Sequence, residues 1–432
     1  MRVRVEPLDG LVDELPSIAV RGPPAGEPLR LELTTTDAAR HRWRFAATYS
    51  AGTDGALDLV RDAPAEALHQ GTDPSAPFWA MEFASEDAAP VAFAAPADAL
   101  EYDLSLSCGG ERETLTLVRR WRAPDVEARS VSGEGFAGRL LLPAGGATSA
   151  VLVVPGSTGA AAMEPLAALL ASHGHASLVA AYMQEEELPP ALQEIPVEVV
   201  GGALQALRSE TGAARVGLLA VSVGTQGALA ALALGEAEAE ADCAVAIAPS
   251  SVIWQALPPN GGRPPPPAAW SHGGQPLPWL PIHGERILPE VLKHALLDRF
   301  SRHPRPSALH MLPAFEPSLA DGEDVERAAI PVERIACPLL LICGEDDQMW
   351  PGARMAEAIV QRRRAAATGE RDVLLSFPDA GHFIRPPVTP TTVPWNDALV
   401  SGGSAAGNAH AQAEAWTALL GFLDVRLRRG GG

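Results

Sequence analysis

Cysteine is scarce in this 432-residue chain, which contains only Cys108, Cys243, Cys337 and Cys343. None of them forms a Cys-x-x-Cys pair or a cysteine/histidine cluster, which argues against both a structural zinc site and a disulfide framework. The last three lie in or beside apolar strand-like runs and are interpreted as buried core thiols. We expect neither a metal ion nor another cofactor.

Long apolar runs and targeting signals are also missing. No hydrophobic stretch is long enough to cross a bilayer. The N-terminal residues alternate like a strand instead of forming a signal or transit peptide, and the C-terminal Arg-Arg-Gly-Gly-Gly is not a peroxisomal tripeptide. These absences predict a cytoplasmic protein without a membrane span.

Basic residues are outnumbered, with 33 lysines and arginines against 53 acidic residues and a formal net charge of −20. A surface of this sign disfavours nucleic acid and anionic membranes as partners. It would also repel an acidic carrier protein, and a phosphorylated carrier would need a local basic patch. The composition leaves the oligomeric state open.

The length exceeds what one compact core usually holds and predicts two domains. Residues 1–130 show period-2 alternation in short runs such as Leu29-Arg-Leu-Glu-Leu and Glu113-Thr-Leu-Thr-Leu, punctuated by glycine, proline and aspartate. Several short strands at this spacing favour an all-β sandwich. Its aromatic residues Trp43, Phe78 and Trp79 are interpreted as core.

Residues 131–432 follow a different rhythm, in which continuous apolar runs alternate with helical segments rich in alanine and leucine. Examples are the runs that begin at Ala150, Ala176, Val216 and Cys243. Continuous apolar strands alternating with helices predict a mostly parallel, doubly wound sheet with helices on both faces.

A proline-rich insertion at about 252–336 interrupts this alternation, with Pro264–Pro267 in its centre. Because it follows one parallel strand and precedes the next, we expect it to lie over the carboxyl edge of the sheet. We favour a lid or a wall of an acyl pocket, since Trp254, Trp270 and Trp279 would be costly to expose. The alternative is a solvent loop without a role in binding.

Ser222 lies between an apolar strand-like run and a helical run, within Ala220-Val-Ser-Val-Gly224. This pattern departs from the Gly-x-Ser-x-Gly nucleophile motif only in the alanine at its first position. In that motif the serine occupies a strained strand-to-helix turn and presents its hydroxyl above the sheet. The alternative is an ordinary strand-to-helix turn.

Two further residues complete a candidate triad. Asp347 follows a predicted strand 125 residues after Ser222, and His382 lies in the loop after the next strand, 35 residues further on. The order Ser, Asp, His is the one that this motif requires. We assign Ser222 as nucleophile, His382 as base and then acid, and Asp347 as the carboxylate that orients it, with Asp346 as the rival for that role.

The oxyanion formed by attack on a carbonyl needs preorganised donors. The backbone N–H of Val223, at the start of the predicted helix, can supply one. Ser157, in the loop Gly156-Ser-Thr158, is our choice for the second backbone donor. That loop can also be read as a simple turn between a strand and a helix.

The chain as a whole resembles the family of acyl-CoA thioesterases and bile acid-CoA:amino acid N-acyltransferases. The resemblance rests on residues 5–14, 20–24, 54–59 and 71–74 in the first domain, and on residues 251–254, 275–278, 344–348, 380–387 and 409–416 in the second. It implies an α/β hydrolase preceded by a β-sandwich, and a triad of Ser222, Asp347 and His382.

The resemblance implies thioester hydrolysis or acyl transfer as the reaction. Conjugating members of the family use a cysteine nucleophile, whereas hydrolytic members carry cysteine or serine, so Ser222 favours hydrolysis of acyl-CoA or a related acyl thioester. The alternative is transfer of the acyl group to an amine or alcohol acceptor. Two other functions are compatible with the fold: that of an esterase or peptidase, and that of a binding protein without catalysis.

Overall fold

The computed structural model describes residues 1–24, 27–52, 55–66, 71–235, 240–257, 267–300 and 307–428. Residue 54 of one family-like segment, residues 258–266 and 301–306 of the insertion and residues 429–432 at the C-terminus lie outside the described residues. None of the described helices is long and apolar enough to cross a membrane.

Two β-sheets form the first part of the chain. The strands are β1 Arg2–Glu6, β2 Asp9–Leu11, β3 Ser17–Arg21, β4 Leu29–Thr36, β5 Arg42–Tyr49, β6 Ala56–Asp58, β7 Glu82–Phe83, β8 Ala99–Cys108 and β9 Glu111–Arg120, with helix α1 at Ala76–Trp79. Their orders are β1-β3-β6 and β2-β9-β8-β4-β5-β7, and only the β2–β9 pair is parallel within these segments.

The alternation seen in the sequence corresponds to burial in these sheets. Buried and more accessible residues alternate along β4 and β5, and inward side chains of both sheets belong to one hydrophobic core. Trp43 and Phe78 are fully buried in that core, and Trp79 is nearly so. The first domain is therefore β-rich, as the sequence predicts.

The second part of the chain contains a larger sheet. Its strands are β10 Glu127–Gly133, β11 Phe136–Leu142, β12 Ser149–Val154, β13 Ala176–Ala181, β15 Arg215–Val221, β16 Cys243–Ile247, β19 Leu339–Gly344 and β20 Val373–Phe377. Among the described residues the order is β10-β11-β13-β12-β15-β16-β19-β20. The first two pairings are antiparallel and the other five are parallel.

Helices cover both faces of this sheet. Those that pack on the sheet are α2 Glu164–Ser172, α3 Glu198–Thr211, α4 Gly224–Leu234, α8 Gly352–Ala365 and α9 Ala405–Leu427, and the insertion between β16 and β19 contains α5 Leu288–Phe300, α6 Leu312–Phe315 and α7 Gly322–Ala328. Leu152 faces the core formed with α3, α4 and α8, whereas its neighbour Val153 faces the core formed with α2 and α9. This is the doubly wound α/β-hydrolase architecture, and the fold prediction is confirmed.

The insertion contributes short elements of its own. Its strands β17 Trp270–His272 and β18 Gln275–Pro276 pair with each other, and β17 also pairs with β14 Ile195–Pro196, which lies outside the insertion, between β13 and α3. Short 3₁₀ helices lie at Gly284–Arg286, Glu316–Leu319 and Val332–Arg334, and another follows β12 at Ala161–Met163.

The two domains share the core on the α2 and α9 face of the large sheet. Asp13 Oδ2 accepts hydrogen bonds from His173 Nε2 at 2.6 Å and from Trp416 Nε1 at 2.7 Å. Elsewhere at this junction, Trp395 Nε1 donates to the carbonyl of Pro90 at 2.7 Å. The Asp13 contacts hold the segment around residue 13 against the second domain, and the Trp395 contact holds the segment around residue 90.

Candidate active site

Ser222 occupies a turn between β15 and α4 with a φ of 53°, in the left-handed region that favours glycine. Its N–H donates to the carbonyl of Ile247 at 2.8 Å, which ties the turn to the neighbouring strand. Its carbonyl accepts a hydrogen bond from Thr225 Oγ1 at 2.7 Å. A strained turn held in this way fixes the serine at the carboxyl edge of the sheet.

Glycines allow the chain to pack closely around this turn. A Cβ at Gly224 would lie 2.3 Å from the carbonyl oxygen of Pro155, and a Cβ at Gly156 would lie 3.2 Å from the Cβ of Ser222. The loop that follows β12 therefore lies directly against Ser222. Only a residue without a side chain fits at position 224.

Three residues that are far apart in the sequence meet at this edge. His382 Nε2 lies 2.9 Å from Ser222 Oγ, and His382 Nδ1 lies 2.7 Å from Asp347 Oδ2. Asp347 and His382 are each 3% exposed and Ser222 is 8% exposed. Because an ionised carboxylate only accepts hydrogen bonds, the Asp347 contact places the proton on Nδ1 and turns the Nε2 lone pair toward the serine hydroxyl.

The carboxylate of Asp347 is fixed on its other side by the backbone. Its Oδ1 accepts hydrogen bonds from the N–H groups of Met349 at 2.8 Å and Trp350 at 3.1 Å. The rival, Asp346, faces elsewhere: its Oδ1 accepts from Gln348 Nε2 at 2.6 Å and its Oδ2 from the N–H of Gly403 at 2.9 Å. Asp347, and not Asp346, is thus the carboxylate that contacts the imidazole.

Helix α9 holds the loop that carries the histidine. Asn408 Oδ1 accepts from the N–H of Gly381 at 2.9 Å, and the N–H of His382 donates to the carbonyl of Ser401 at 2.8 Å. A Cβ at Gly381 would lie 2.3 Å from the carbonyl oxygens of Ser401 and Gly402. The sequence reasoning did not single out Asn408, because an asparagine inside a helix carries no local signal of such a contact.

The two candidate oxyanion donors both lie close to Ser222. Val223 precedes α4, and Ser157 lies in the loop against Ser222 and lines the cavity described below. Within the part of the chain that the structure describes, neither backbone N–H donates to another protein group. Their role as oxyanion donors stays a proposal.

A cavity of about 310 Å³ opens at Ser222 and His382. Its walls come from the loop after β12, from residues 383–389 and from the first domain, which contributes Phe93, Ala95, Ala97 and Trp121. The sequence reasoning assigned no role in the site to the first domain. These four residues show no motif, and only the packing of the two domains reveals their position.

The expectation that the insertion forms a lid or pocket wall is wrong for its described residues, none of which lines this cavity. Trp254 packs edge-on against Phe315 and Trp270 against Tyr182, with ring centroids 5.0 Å apart in both pairs. Trp279 is partly buried against the same core. These tryptophans pack on the α4 side of the sheet instead.

Few ionisable side chains line the cavity. Apart from His382, the only ionisable residue among its lining residues is Arg385, and none of them is acidic. The described residues also contain no group of three or more histidine, cysteine, aspartate or glutamate side chains placed to hold a metal ion. Sequence reasoning gave no role to Arg385, although it lies three residues after His382 in a segment of family resemblance.

Comparison with known proteins finds matches to two family models. Residues 13–133 match the family described as the acyl-CoA thioester hydrolase/BAAT N-terminal region, and residues 291–429 match the one described as the BAAT/acyl-CoA thioester hydrolase C-terminal region.

Curated relatives align over nearly the whole chain. The human acyl-coenzyme A thioesterase 1 is 27% identical over 96% of this chain and 94% of its own length. The mouse peroxisomal succinyl-coenzyme A thioesterase is 26% identical over the same shares, and the human mitochondrial acyl-coenzyme A thioesterase 2 is 27% identical over 96% of this chain and 82% of its own. The chain therefore belongs to the family of acyl-CoA thioesterases and bile acid-CoA:amino acid N-acyltransferases.

Proposed function

We propose that this protein is an acyl-CoA thioesterase that works through a serine acyl-enzyme, with Ser222, His382 and Asp347 as its catalytic triad. The single observation that carries the proposal is the hydrogen-bonded chain from Ser222 Oγ through the imidazole to Asp347 Oδ2, buried beside a cavity. Family membership and the names of the relatives support acyl-CoA as the substrate.

The first half of the reaction forms the acyl-enzyme. Ser222 Oγ attacks the thioester carbonyl while His382 Nε2 takes the hydroxyl proton, and Asp347 stabilises the resulting imidazolium. The N–H groups of Val223 and Ser157 donate hydrogen bonds to the oxyanion. The C–S bond then breaks, and the proton on His382 leaves with CoA as its free thiol.

The second half releases the acid. His382 takes a proton from a water molecule, which attacks the ester carbonyl of the acyl-enzyme, and returns that proton to Ser222 Oγ as the C–O bond breaks. An oxygen ester is less reactive toward amines than a thioester is. Water in excess is therefore the acceptor that the serine nucleophile favours, and transfer to an amine or alcohol is the alternative.

Thiol release from a panel of acyl-CoAs of rising chain length tests the proposal. The native protein should release free CoA, and Ser222→Ala should lose nearly all of this activity while Ser130→Ala, an exposed serine on β10 far along the chain from the triad, should not. Unchanged turnover in Ser222→Ala would remove this residue from the mechanism.

Mass analysis of the products separates hydrolysis from acyl transfer. With glycine or taurine present, we expect the free acid and no amide product. An amide as the main product would replace hydrolysis by acyl transfer as the function.

The cytoplasmic location expected from the sequence stays a proposal. The names of the relatives place individual members in peroxisomes and mitochondria, so family membership does not select a compartment. Fractionation of cells that express the native chain, with an antibody against it, would test the location.

A further inference from the structure

A chain of aromatic rings connects the insertion with the imidazole of His382. Trp254 packs edge-on against Phe315, and both residues belong to the insertion. The ring of Phe315 lies edge-on to that of Trp350, with centroids 6.2 Å apart, and Trp350 lies edge-on to the imidazole at 5.9 Å. All four rings are buried. Because Trp254, Phe315 and Trp350 do not line the cavity, the insertion reaches the triad through the protein core.

Trp254 is also connected to the turn that carries Ser222. Its backbone N–H donates to Gln226 Oε1 on α4 at 2.9 Å, and its indole N–H donates to Ser250 Oγ at 3.1 Å. The N–H of Ser250 donates to Thr225 Oγ1 at 3.0 Å, and the hydroxyl of Thr225 donates to the carbonyl of Ser222. Hydrogen bonds thus join Trp254 to the nucleophile, while ring contacts join it to the base.

The two hydrogen bonds of His382 leave one movement of its ring free. The contacts with Asp347 and Ser222 fix the positions of Nδ1 and Nε2, but the ring can still tilt about the line that joins these atoms. The N–H and the lone pair of the imidazole lie in the ring plane, so a tilt turns both away from their partners. Because hydrogen bonds weaken steeply as they bend, the tilt must be restrained by packing.

Two aromatic rings pack against the imidazole and supply this restraint. Phe383 lines the cavity, and its ring centroid lies 5.3 Å from that of His382, whereas Trp350 does not line the cavity. The indole N–H of Trp350 is buried and has no hydrogen-bond partner among the described residues, so no polar contact orients this ring. Edge-to-face packing against Phe315, a preferred arrangement of aromatic rings, orients it instead.

We propose that Phe315 and Trp350 are positioning residues for the reaction, through which the insertion keeps the imidazole of His382 aligned with Ser222. Phe315 sets the orientation of the Trp350 ring, and Trp350 limits the tilt of the imidazole. This inference rests on the proposed catalytic role of the triad. It gives the insertion a part in catalysis, although its described residues do not line the cavity.

Steady-state kinetics of thiol release test the inference. Phe315→Ala and Trp350→Ala should each lower kcat about 10- to 100-fold, because a small displacement of a catalytic group is costly. KM should stay nearly unchanged, since neither side chain lines the cavity. Trp350→Phe keeps a ring against the imidazole and should retain most of kcat. Native kcat in both alanine variants, a loss confined to KM, or a Trp350→Phe protein as impaired as Trp350→Ala would each overturn the inference.

Leu319→Ala separates positioning from a loss of stability. Leu319 also belongs to the insertion, and it is 7% exposed in the same core as Phe315, which is 7% exposed as well. Both truncations remove buried apolar atoms and should lower the free energy of unfolding, which urea denaturation measures. With both proteins folded in the assay, only Phe315→Ala should lose kcat. Equal losses of kcat in the two variants would reduce Phe315 to a general contribution to the fold and contradict the inference.

Proton NMR keeps this inference distinct from the proposed function, because it needs no substrate. An imidazole proton that is hydrogen-bonded to a carboxylate resonates far downfield, and the downfield signal that disappears in His382→Ala reports the contact with Asp347. This signal should shift or broaden in Phe315→Ala and Trp350→Ala and persist in Leu319→Ala and Trp350→Phe. That pattern would support the positioning role even if the native protein released no thiol. An unchanged signal in both Phe315→Ala and Trp350→Ala would refute it.

Discussion

Asp346 and Asp347 are adjacent in the chain, yet their carboxylates bind different groups. Asp347 Oδ2 lies 2.7 Å from His382 Nδ1, whereas Asp346 Oδ2 accepts from the N–H of Gly403 at 2.9 Å. The turn that begins at the end of β19 thus sends one carboxylate to the imidazole and the other to the backbone of a neighbouring loop. The pair offers a matched test of the triad.

We predict that Asp347→Asn lowers kcat by about 10³- to 10⁴-fold, since an amide cannot hold the required tautomer of His382 or stabilise its charged form. Asp346→Asn keeps an oxygen for the N–H of Gly403 and should change kcat only slightly. Thiol release from one acyl-CoA measures both. Equal losses in the two variants would assign the effect to the turn and not to the carboxylate of Asp347.

The turn at Ser222 offers a second prediction. Gly224→Ala places a Cβ 2.3 Å from the carbonyl oxygen of Pro155, so the loop with Ser157 or the start of α4 must move. We expect a loss of about 1–3 kcal/mol in the free energy of unfolding, together with a loss of activity. Urea denaturation and thiol release measure the two effects.

Gly202→Ala is the matched control. Gly202 lies inside α3, and a Cβ there would meet no atom within 4 Å. This variant should raise the free energy of unfolding by about 0.4–1 kcal/mol and leave activity intact. A Gly224→Ala protein as stable and active as the native one would show that the close packing around the turn is dispensable.

Much of the large sheet could be predicted from the sequence, because buried parallel strands are continuous apolar runs. Strand β12 Ser149–Val154 is such a run and is buried along its whole length, and the apolar run before Ser222 forms β15. The hydrogen-bonding distances among Ser222, Asp347 and His382 are those that the triad hypothesis requires. Their catalytic roles, the oxyanion donors and the domain boundary near residue 130 stay predictions.

The cavity walls could not be predicted in the same way. Period-2 alternation shows that a side chain is buried, but it does not show which domain it contacts. Phe93 reaches the site because the segment before it is anchored to the second domain, where the N–H of Ala92 donates to the carbonyl of Trp395 at 2.6 Å. The two residues of this contact are some 300 positions apart in the chain, so no local sequence pattern reveals it.

The position of the insertion was predicted wrongly for a related reason. Its tryptophans are buried, as their cost of exposure suggested, but burial does not specify the surface that covers them. Trp270 packs on α4, where a Cβ at Gly227 would lie 2.3 Å from its ring. A proline-rich connection can turn toward either side of the sheet edge, and here its described residues turn away from the cavity.

Neighbouring arginines on α8 provide a stability prediction. Arg363 is fully buried, and its guanidinium donates to Asp372 at 2.6 and 3.1 Å and to backbone carbonyls that include those of Val332 and Ile335. We predict that Arg363→Met lowers the free energy of unfolding by about 3–5 kcal/mol, because it leaves the carboxylate of Asp372 buried without its partner. Chemical denaturation measures the loss.

Arg362→Met is the control for this change. Arg362 pairs with Glu333, and both side chains are partly accessible to solvent. Screened pairs of this kind contribute at most about 1 kcal/mol, so the variant should remain close to the native protein in stability. Similar losses in the two variants would contradict the assigned importance of burial at Arg363.

Two histidines at the opposite edge of the sheet make the free energy of unfolding depend on pH in opposite directions. Burial lowers the pKa of His175, whose Nδ1 lies 2.8 Å from Ser149 Oγ and whose Nε2 lies 3.1 Å from Asp424 Oδ1. The hydrogen bond with Asp13 raises the pKa of His173. His175 therefore stabilises the fold above its unfolded-state pKa of about 6.5 and loses this contribution as the pH falls toward its lowered pKa.

His173 acts in the reverse sense: its contribution is complete below about pH 6.5 and disappears as the pH rises through its raised pKa. We predict that His175→Gln weakens the loss of stability between pH 7 and pH 5, because the variant has no buried imidazole that must stay neutral in the folded state. His173→Gln should strengthen the same loss, since it removes a group that stabilises the fold at acidic pH. Urea denaturation at pH 5, 7 and 8 measures the free energy of unfolding for the native protein and both variants, and parallel pH curves for all three would refute these assignments.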